Sequence, residues 1–227
     1  LLTGEGADEL FAGYPRYLIC IFGDAYNRIS PTLALIIKEI LKIIPLRKVR
    51  KTVENLGLDS RQLVLWNSNF VNKDKVCWLM DNNESFLEPR VNLVENTWNE
   101  EFNIFDNLLR YEQKSYLQPI LMRQDKMSMA ASVESRVPLL DNEMLHLANT
   151  LPYQYKIRHF IPKHILKKVA DRHIPKKIVY RKKVGFGVPI DEWFRDPKGL
   201  GRYLDMLLDT SRSIPDIKKS RLEQLIS

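Results

Sequence analysis

The sequence is poor in three features that would indicate particular classes of protein. Its two cysteines, Cys20 and Cys77, are too few for a disulfide framework and lack metal-ligand spacing. Its nine glycines fall below the roughly 7% of an average protein, which disfavours a turn-rich all-β fold. No apolar run approaches the ~20 residues that span a bilayer, because Lys38, Glu39 and Lys42 interrupt the longest candidate. These absences favour a helical protein without a membrane span, and so few cysteines are typical of the reducing cytoplasm.

The composition is otherwise that of an ordinary folded domain. The 227 residues are 44% apolar and 28% charged, which excludes disorder over the whole chain. The first residues, Leu1-Leu2-Thr3-Gly4, include no initiator methionine and resemble a buried strand entering a loop. We therefore expect residues 1–227 to be a fragment of a longer protein.

Positive charge is concentrated near the end of the chain. Residues 151–227 carry a net charge of +10, whereas the first 150 residues carry −3. Between Lys156 and Lys183 there are eleven basic residues and a single acid, Asp171. Such a segment attracts polyanions, such as nucleic acid, an anionic membrane surface or a nucleotide with its pyrophosphate. A solvated helix face is an equally good interpretation of the composition.

Apolar residues recur with helical spacing through much of the chain. The segment 31–44 follows Ser30, an acceptable N-cap, has Pro31 at its first position and carries a stripe of leucine and isoleucine. The same spacing predicts helices at 47–56, 60–70, 105–117, 141–151, 165–169, 201–208 and 216–226. We expect each stripe to pack in the core.

The stretch 3–14, TGEGADELFAGY, is the most informative part of the sequence. Gly4 and Gly6 follow a strand end and precede a helix start, so backbone N–H groups there can approach an anion. Glu5 and Asp8 suit such a place only if a divalent cation such as Mg²⁺ lies between them and a phosphate. The alternative is that the acids merely favour the helix N-terminus.

Three stretches resemble the glutamine-dependent asparagine synthetases, in that family's order. TGEGADELFAGY is similar to the family motif SGEGxDELFGGY. RQDKMSMA at 123–130 and VESRVPLLD at 133–141 resemble DRMSMAxxxExRVPFLD. Residues 166–168, 174–175 and 181–189 resemble the tail LK…LP…RxKxGFxxP. The resemblance therefore covers residues 3–189.

This resemblance implies a fold and a reaction. In the family, a glutaminase domain precedes a synthetase domain of the ATP-pyrophosphatase group. That domain converts aspartate to asparagine through an aspartyl-adenylate, with ammonia from glutamine and release of AMP and pyrophosphate. Residues 1–227 contain neither a glutaminase domain nor the family's SGGxDS loop. The chain therefore resembles the mostly α, helical later portion of the α/β synthetase domain, N-terminally truncated, and is expected to be inactive alone.

The family's roles can be carried over residue by residue. Thr3 and Gly4 would border ATP, and Asp8 would hold Mg²⁺ on the pyrophosphate. Lys183 would stabilise charge at the α-phosphate. Glu5 would take a proton from the attacking ammonia, which is general-base work. Related β-lactam-forming cyclases carry tyrosine at the matching position, so Glu5 favours amide formation over ring closure.

The central block, residues 123–141, allows two interpretations. Its charged residues lie among methionines and Val133, and they could form an internal ion-pair network because isolated buried charge is costly. Alternatively, Arg136 contacts substrate or phosphate, since its planar fork suits both.

The basic segment would serve the nucleotide in only a few places. Lys183, together with Arg181 or Lys182, is expected there. The remaining lysines are expected on solvated faces: Lys163, Lys167, Lys168, Lys176 and Lys177. The stretch 185–187, Gly-Phe-Gly, predicts either a mobile loop that closes over the site or a plain surface turn.

Two other functions stay open. An amidotransferase of the same lineage could act on another carboxylate, in a polysaccharide precursor or a peptide being cyclised. This alternative arises because residues 116–121 lack the acidic pair that many asparagine synthetases carry there. A basic nucleic-acid-binding module is disfavoured, because no recognised nucleic-acid motif is present. The expected partners are ATP, aspartate and ammonia, with no nucleic acid and no membrane; a homodimer of the full-length protein stays open.

Overall fold

Short helices form most of the chain. The computed structural model describes residues 1–43, 53, 55–67, 73–81, 84–182, 188–209 and 217–226. The chain divides into two units, the first formed by residues 1–68 and 89–180 and the second by residues 69–88 and 181–227. Within the described ranges, no helix is long and apolar enough to cross a membrane. The prediction of a mostly α protein is confirmed.

The helices are named here in chain order. They are α1 (Ala7–Phe11), α2 (Arg16–Asn27), α3 (Pro31–Lys42), α4 (Ser60–Asn67), α5 (Lys73–Leu79), α6 (Glu88–Thr97), α7 (Ile104–Glu112), α8 (Gln118–Ala130), α9 (Asn142–Thr150), α10 (Tyr153–Lys156), α11 (His164–Ala170), α12 (Lys176–Val179), α13 (Ile190–Arg195) and α14 (Lys219–Ile226). A π-helix (Gln113–Leu117) joins α7 to α8, and 3₁₀ helices cover Ser85–Leu87, Pro138–Leu140 and Leu200–Leu208. Two short strands, β1 (Ile157–Arg158) and β2 (Ile161–Pro162), form an antiparallel hairpin in which Arg158 faces Ile161.

Local sequence signals set several helix starts. Helix α3 begins at Pro31, directly after Ser30, as predicted. Helix α7 follows Asn103, whose side chain accepts a hydrogen bond from the Asp106 backbone N–H at 2.9 Å. Helix α9 follows Asp141, which caps the N–H of Glu143 in the same way. The helix predicted at 47–56 lies mostly outside the described residues.

The core of the first unit lies among α2, α4 and α7. Tyr17 of α2, Leu63 of α4 and Leu108 of α7 are fully buried, and Phe105 is 2% exposed. Burying a large apolar side chain of this kind contributes about 1.5–3 kcal/mol, so these contacts hold the helices together. The core packing predicted for the stripes of α4 and α7 is confirmed.

The stripe of α3 does not pack in the core. Leu33, Ile36 and Ile40 are 47%, 51% and 56% exposed, and no residue of α3 is buried. Leu147 of α9, part of another predicted stripe, is also exposed. Helical spacing shows that one face of a helix is apolar, but it does not show what that face contacts. The prediction of core packing was therefore wrong for α3 and for Leu147.

Within the second unit, Arg221 links α14 to α5. Its guanidinium donates hydrogen bonds to the carbonyl oxygen of Trp78 and, at 2.8 Å, to Asp81 Oδ1. Lys218 is a further ion-pair partner of Asp81, and the two cations hold the pKa of that carboxyl below its usual value. These contacts join the two sequence segments, 69–88 and 181–227, that make up the second unit.

A buried lysine lies at the end of α10. Lys156 is 1% exposed, and burial lowers its pKa from 10.5 to about 8, although Asp106 partly opposes this. A lowered lysine pKa means that the charged form is less stable in the folded state, by about 1.4 kcal/mol for each unit. The penalty is complete below pH 8 and declines between pH 8 and 10.5.

Replacing this lysine by an apolar residue of similar length should stabilise the protein. At pH 7 we expect Lys156→Met to raise the free energy of unfolding by about 2–3 kcal/mol. The difference from wild type should shrink as the pH rises from 8 towards 10.5, because wild-type Lys156 loses its proton there. Urea denaturation at pH 7 and pH 10 measures both values. The exposed Lys168→Met is the matched control, and a variant less stable than wild type at pH 7 would contradict the prediction.

Candidate active site

The opening loop has the predicted order of strand end, turn and helix, but Leu1 and Leu2, which were predicted to be buried, are 71% and 75% exposed. Gly6 precedes α1 with a φ of 85°, and a Cβ at this position would lie 2.4 Å from the Leu140 side chain. Both the left-handed backbone and the close approach therefore require glycine. Helix α1 has only five residues. Its dipole is correspondingly small, so charge at this site must come mainly from side chains.

Backbone pairing places the opening loop beside the central block. Leu2 and Arg136 form an isolated parallel bridge. The Thr3 N–H donates to the Arg136 carbonyl at 3.0 Å, and the Arg136 N–H donates to the Leu1 carbonyl at 2.8 Å. The Thr3 hydroxyl also accepts a hydrogen bond from Gln124 Nε2 at 3.0 Å. Two motifs that are more than a hundred residues apart in sequence thus lie side by side.

Asp8 forms an ion pair that the sequence did not predict. Lys163 Nζ lies 2.8 Å from Asp8 Oδ1, and the two side chains are 23% and 19% exposed. The Lys163 N–H donates to the Phe11 carbonyl at 3.2 Å, which holds the start of α11 against α1. A Cβ on Gly13 would lie 1.7 Å from Asp8 Oδ1, so glycine at this position leaves room for the pair. The prediction that Lys163 lies on a solvated face was wrong.

Gly4 and Glu5, in the same loop, are both accessible from solvent. Gly4 is exposed, and a Cβ there would meet nothing within 4 Å. Glu5 is half-buried, and within the described ranges its side chain makes no hydrogen bond or ion pair. Its carboxylate is therefore available to a ligand at the loop.

The charged residues of the central block are exposed. Arg136 and Glu134 form an ion pair at 2.6 Å, but their side chains are 71% and 70% exposed. Met122 and Met127, which were expected to surround them in an apolar setting, are 60% and 71% exposed. The interpretation as a buried ion-pair network was therefore wrong, because the Arg136 guanidinium is exposed and pairs with Glu134 at the surface.

Two further candidates belong to the second unit. Arg181 is exposed. Lys183 and the predicted closing loop at 185–187 lie outside the described residues. Their roles stay predictions.

A buried polar network lies behind the opening loop. Tyr14 donates a hydrogen bond to Glu9 Oε1 at 2.5 Å, and Glu9 is 1% exposed. Arg16 pairs with Glu112 Oε2 at 2.5 Å, and Glu112 is fully buried. The Arg16 guanidinium also lies over the rings of Tyr14 and Tyr116, at 4.0 and 4.6 Å from their centroids. Sequence reasoning missed this network, although an acid within the apolar stripe of α7 was a usable signal.

Burial shifts the titration of this network. It raises the pKa of Glu112, against the opposing effect of Arg16. It also raises the pKa of Tyr14, and the hydrogen bond to Glu9 acts in the same direction. Tyr14 therefore stays a hydrogen-bond donor throughout the physiological range.

Comparison with known proteins identifies the family. The model of the asparagine synthase family matches residues 1–227. The chain is 28% identical over 229 residues to asparagine synthetase [glutamine-hydrolyzing] 1 of Bacillus subtilis, covering 99% of this chain and 36% of that protein. It is 25% identical over 227 residues to asparagine synthetase [glutamine-hydrolyzing] 3 of the same species, covering 99% and 32%. No solved structure matches the chain significantly.

The match extends over the whole chain but not over the whole of these relatives. The chain spans about a third of the length of the curated relatives it matches. The opening loop, the central block and the ion-paired Lys163 all fall within the matched residues. The chain belongs to the asparagine synthase family.

Proposed function

We propose that this chain is part of the synthetase domain of a glutamine-hydrolysing asparagine synthetase. The observation that carries the proposal is the match of the asparagine synthase family to all of residues 1–227. The enzyme would convert aspartate to asparagine through an aspartyl-adenylate and release AMP and pyrophosphate, with ammonia from glutamine. The helical fold supports assignment to the later portion of an ATP-pyrophosphatase domain.

The opening loop would meet the nucleotide and the acyl group. Thr3 and Gly4 would border ATP, and the open space at Gly4 supports close approach of a ligand to the backbone. Glu5 would act as the general base, its carboxylate accepting a proton as the ammonia nitrogen attacks the acyl carbon. Its lack of partners among the described residues supports this role.

Cations would meet the negative charge that builds on the phosphates. Adenylate formation places charge on the α-phosphate and on the departing pyrophosphate, so positively charged groups must lie nearby. Lys163, held at Asp8, supplies one such group. Lys183 is proposed for the α-phosphate, and Arg136 and Arg181 for contact with substrate or phosphate.

The Asp8 side of this site fits a magnesium ion. Mg²⁺ is usually held by one or two carboxylates together with substrate phosphates. Across the described ranges, no group of three or more potential metal ligands occurs. An ion that is shared with pyrophosphate needs only one or two carboxylates from the protein, and Asp8 would supply one. Such an ion would neutralise charge on the leaving pyrophosphate when bound.

The route through an adenylate can be tested with aspartate labelled with ¹⁸O in its side-chain carboxylate. A carboxylate oxygen attacks the α-phosphorus, and attack of ammonia on the acyl carbon then leaves that oxygen on AMP. We expect the intact enzyme that carries this chain to yield AMP with one labelled oxygen in step with asparagine, as measured by mass spectrometry. Label in inorganic phosphate would contradict the adenylate. Amide formation only on another acid would contradict aspartate as the acceptor.

A further inference from the structure

The orientation of α1 depends on contacts outside that helix. Its five residues are too few to form a stable helix alone. Asp8, which faces Lys163, is 19% exposed through its side chain, whereas the neighbouring Glu9 is 1% exposed. Whatever fixes Glu9 therefore also fixes the direction in which Asp8 points.

A continuous path of polar contacts connects Glu9 to the core helix α7. Glu9 accepts the 2.5 Å hydrogen bond from Tyr14, and the Tyr14 ring lies under the Arg16 guanidinium. Arg16 in turn pairs with Glu112 at the last residue of α7. Tyr116, in the π-helix, packs edge-on against Tyr14, with ring centroids 5.6 Å apart. Every step of this path lies in the first unit.

Stability is a poor explanation for these buried charges. Removing an arginine and a carboxylate from water costs about as much as their attraction returns, and apolar replacements are often as stable. A better explanation for a buried polar pair is that it fixes one arrangement of the helices around it. Here the neighbouring element is α1, which carries Asp8.

We propose that Arg16 and Glu112 are positioning residues, which hold α1 so that Asp8 can take Mg²⁺ together with pyrophosphate. The inference rests on the proposed function, because it assigns Asp8 to that ion. It adds that the affinity of the loop for magnesium pyrophosphate is set partly by a pair of residues that does not touch the ligand.

The test compares pyrophosphate binding with and without magnesium. Calorimetric titration of the intact enzyme that carries this chain with inorganic pyrophosphate gives the factor by which Mg²⁺ tightens binding. We expect Glu112→Gln, which keeps the shape but loses the charge, to reduce this factor by about 10-fold, the lower end of the effect of losing a direct outer-shell partner, because Glu112 acts on Asp8 only through other residues. Binding of metal-free pyrophosphate should change little. Tyr14→Phe should reduce the factor in the same direction, and it decides the question if Glu112→Gln does not fold.

Two controls separate positioning from general loss of structure. Glu100→Gln removes one of the two carboxylate partners of Arg61. Like Arg16, Arg61 lies over an aromatic ring, Trp98 at 4.9 Å, but it does so on the surface. Asn107→Ala removes the hydrogen bonds of a buried α7 side chain that lies outside the network. Neither variant should change the magnesium factor.

The outcomes distinguish the two proposals. A wild-type enzyme whose pyrophosphate affinity does not respond to magnesium would contradict the proposed role of Asp8 and the inference with it. If magnesium tightens pyrophosphate binding equally in wild type and in Glu112→Gln, the inference alone is overturned. Where Glu112→Gln does not fold, the same result with Tyr14→Phe overturns it. An equal loss in Asn107→Ala would also overturn it, because the effect would then be structural.

Discussion

Glu5→Gln should reduce asparagine formation by the intact enzyme by about 10²–10⁴-fold, the usual contribution of a general base. Glutamine keeps the size of the side chain but cannot accept a proton from the attacking ammonia. The side chain of Glu5 makes no hydrogen bond or ion pair within the described ranges, so the substitution should cost little stability. The loss should appear in the turnover number measured with saturating ATP, aspartate and ammonia.

The glutaminase reaction is the internal control for this variant. It takes place elsewhere in the proposed enzyme, so hydrolysis of glutamine should continue at the wild-type rate. Glu95→Gln, at an exposed carboxylate that pairs with Arg61, should leave asparagine formation unchanged. Normal synthesis by Glu5→Gln would mean that another group is the base.

Asp8→Asn is expected to have the second large effect, through the metal. An amide keeps the size of the carboxylate but loses its charge, and Mg²⁺ strongly prefers carboxylate oxygens. We expect the magnesium requirement of the intact enzyme to rise by more than the roughly 10–100-fold that follows from loss of an outer-shell partner. The measurement is asparagine formation as a function of Mg²⁺ at fixed ATP.

The ion pair with Lys163 provides a second explanation that must be separated from the first. If Asp8 served only to hold Lys163, then Lys163→Gln would reproduce the magnesium dependence of Asp8→Asn. Under the proposed function, Lys163→Gln weakens phosphate binding at every magnesium concentration and leaves the magnesium requirement nearly unchanged. Asp24→Asn is the matched control, because Asp24 of α2 forms a surface ion pair with Arg28.

Local signals predicted those features of the fold that depend on neighbouring residues. The start of α3 followed from Ser30 and Pro31, and the apolar spacing placed α4 and α7. The turn at Gly6 followed from two glycines between a strand end and a helix. Each of these features depends on residues that are close together in the sequence, so it can be predicted from the sequence alone.

Features that depend on distant contacts were not predictable in this way. The α3 stripe has the spacing of a core helix, yet nothing in its own sequence shows that this face is exposed. Lys163 and Lys156 belong to one basic segment, but the first pairs with Asp8 and the second is buried at the end of α10. The composition of the segment is the same for both residues, and only the fold separates them.

The candidate site was predicted in part, for the same reason. The motifs identified Thr3, Glu5, Asp8 and Arg136, and the backbone pairing of Leu2 with Arg136 brings the two motifs together. The network behind them was missed, because its members come from α1, α2, α7 and the π-helix, and only their packing makes them one group.

The most direct test of the account is the affinity of the intact enzyme that carries this chain for pyrophosphate, measured with and without Mg²⁺ in wild type and in Asp8→Asn. The account predicts that magnesium tightens binding to the wild type and has no such effect on the variant, because the carboxylate that shares the ion with the phosphates has been removed. An Asp8→Asn enzyme whose pyrophosphate affinity still rises with magnesium to the wild-type extent would contradict it.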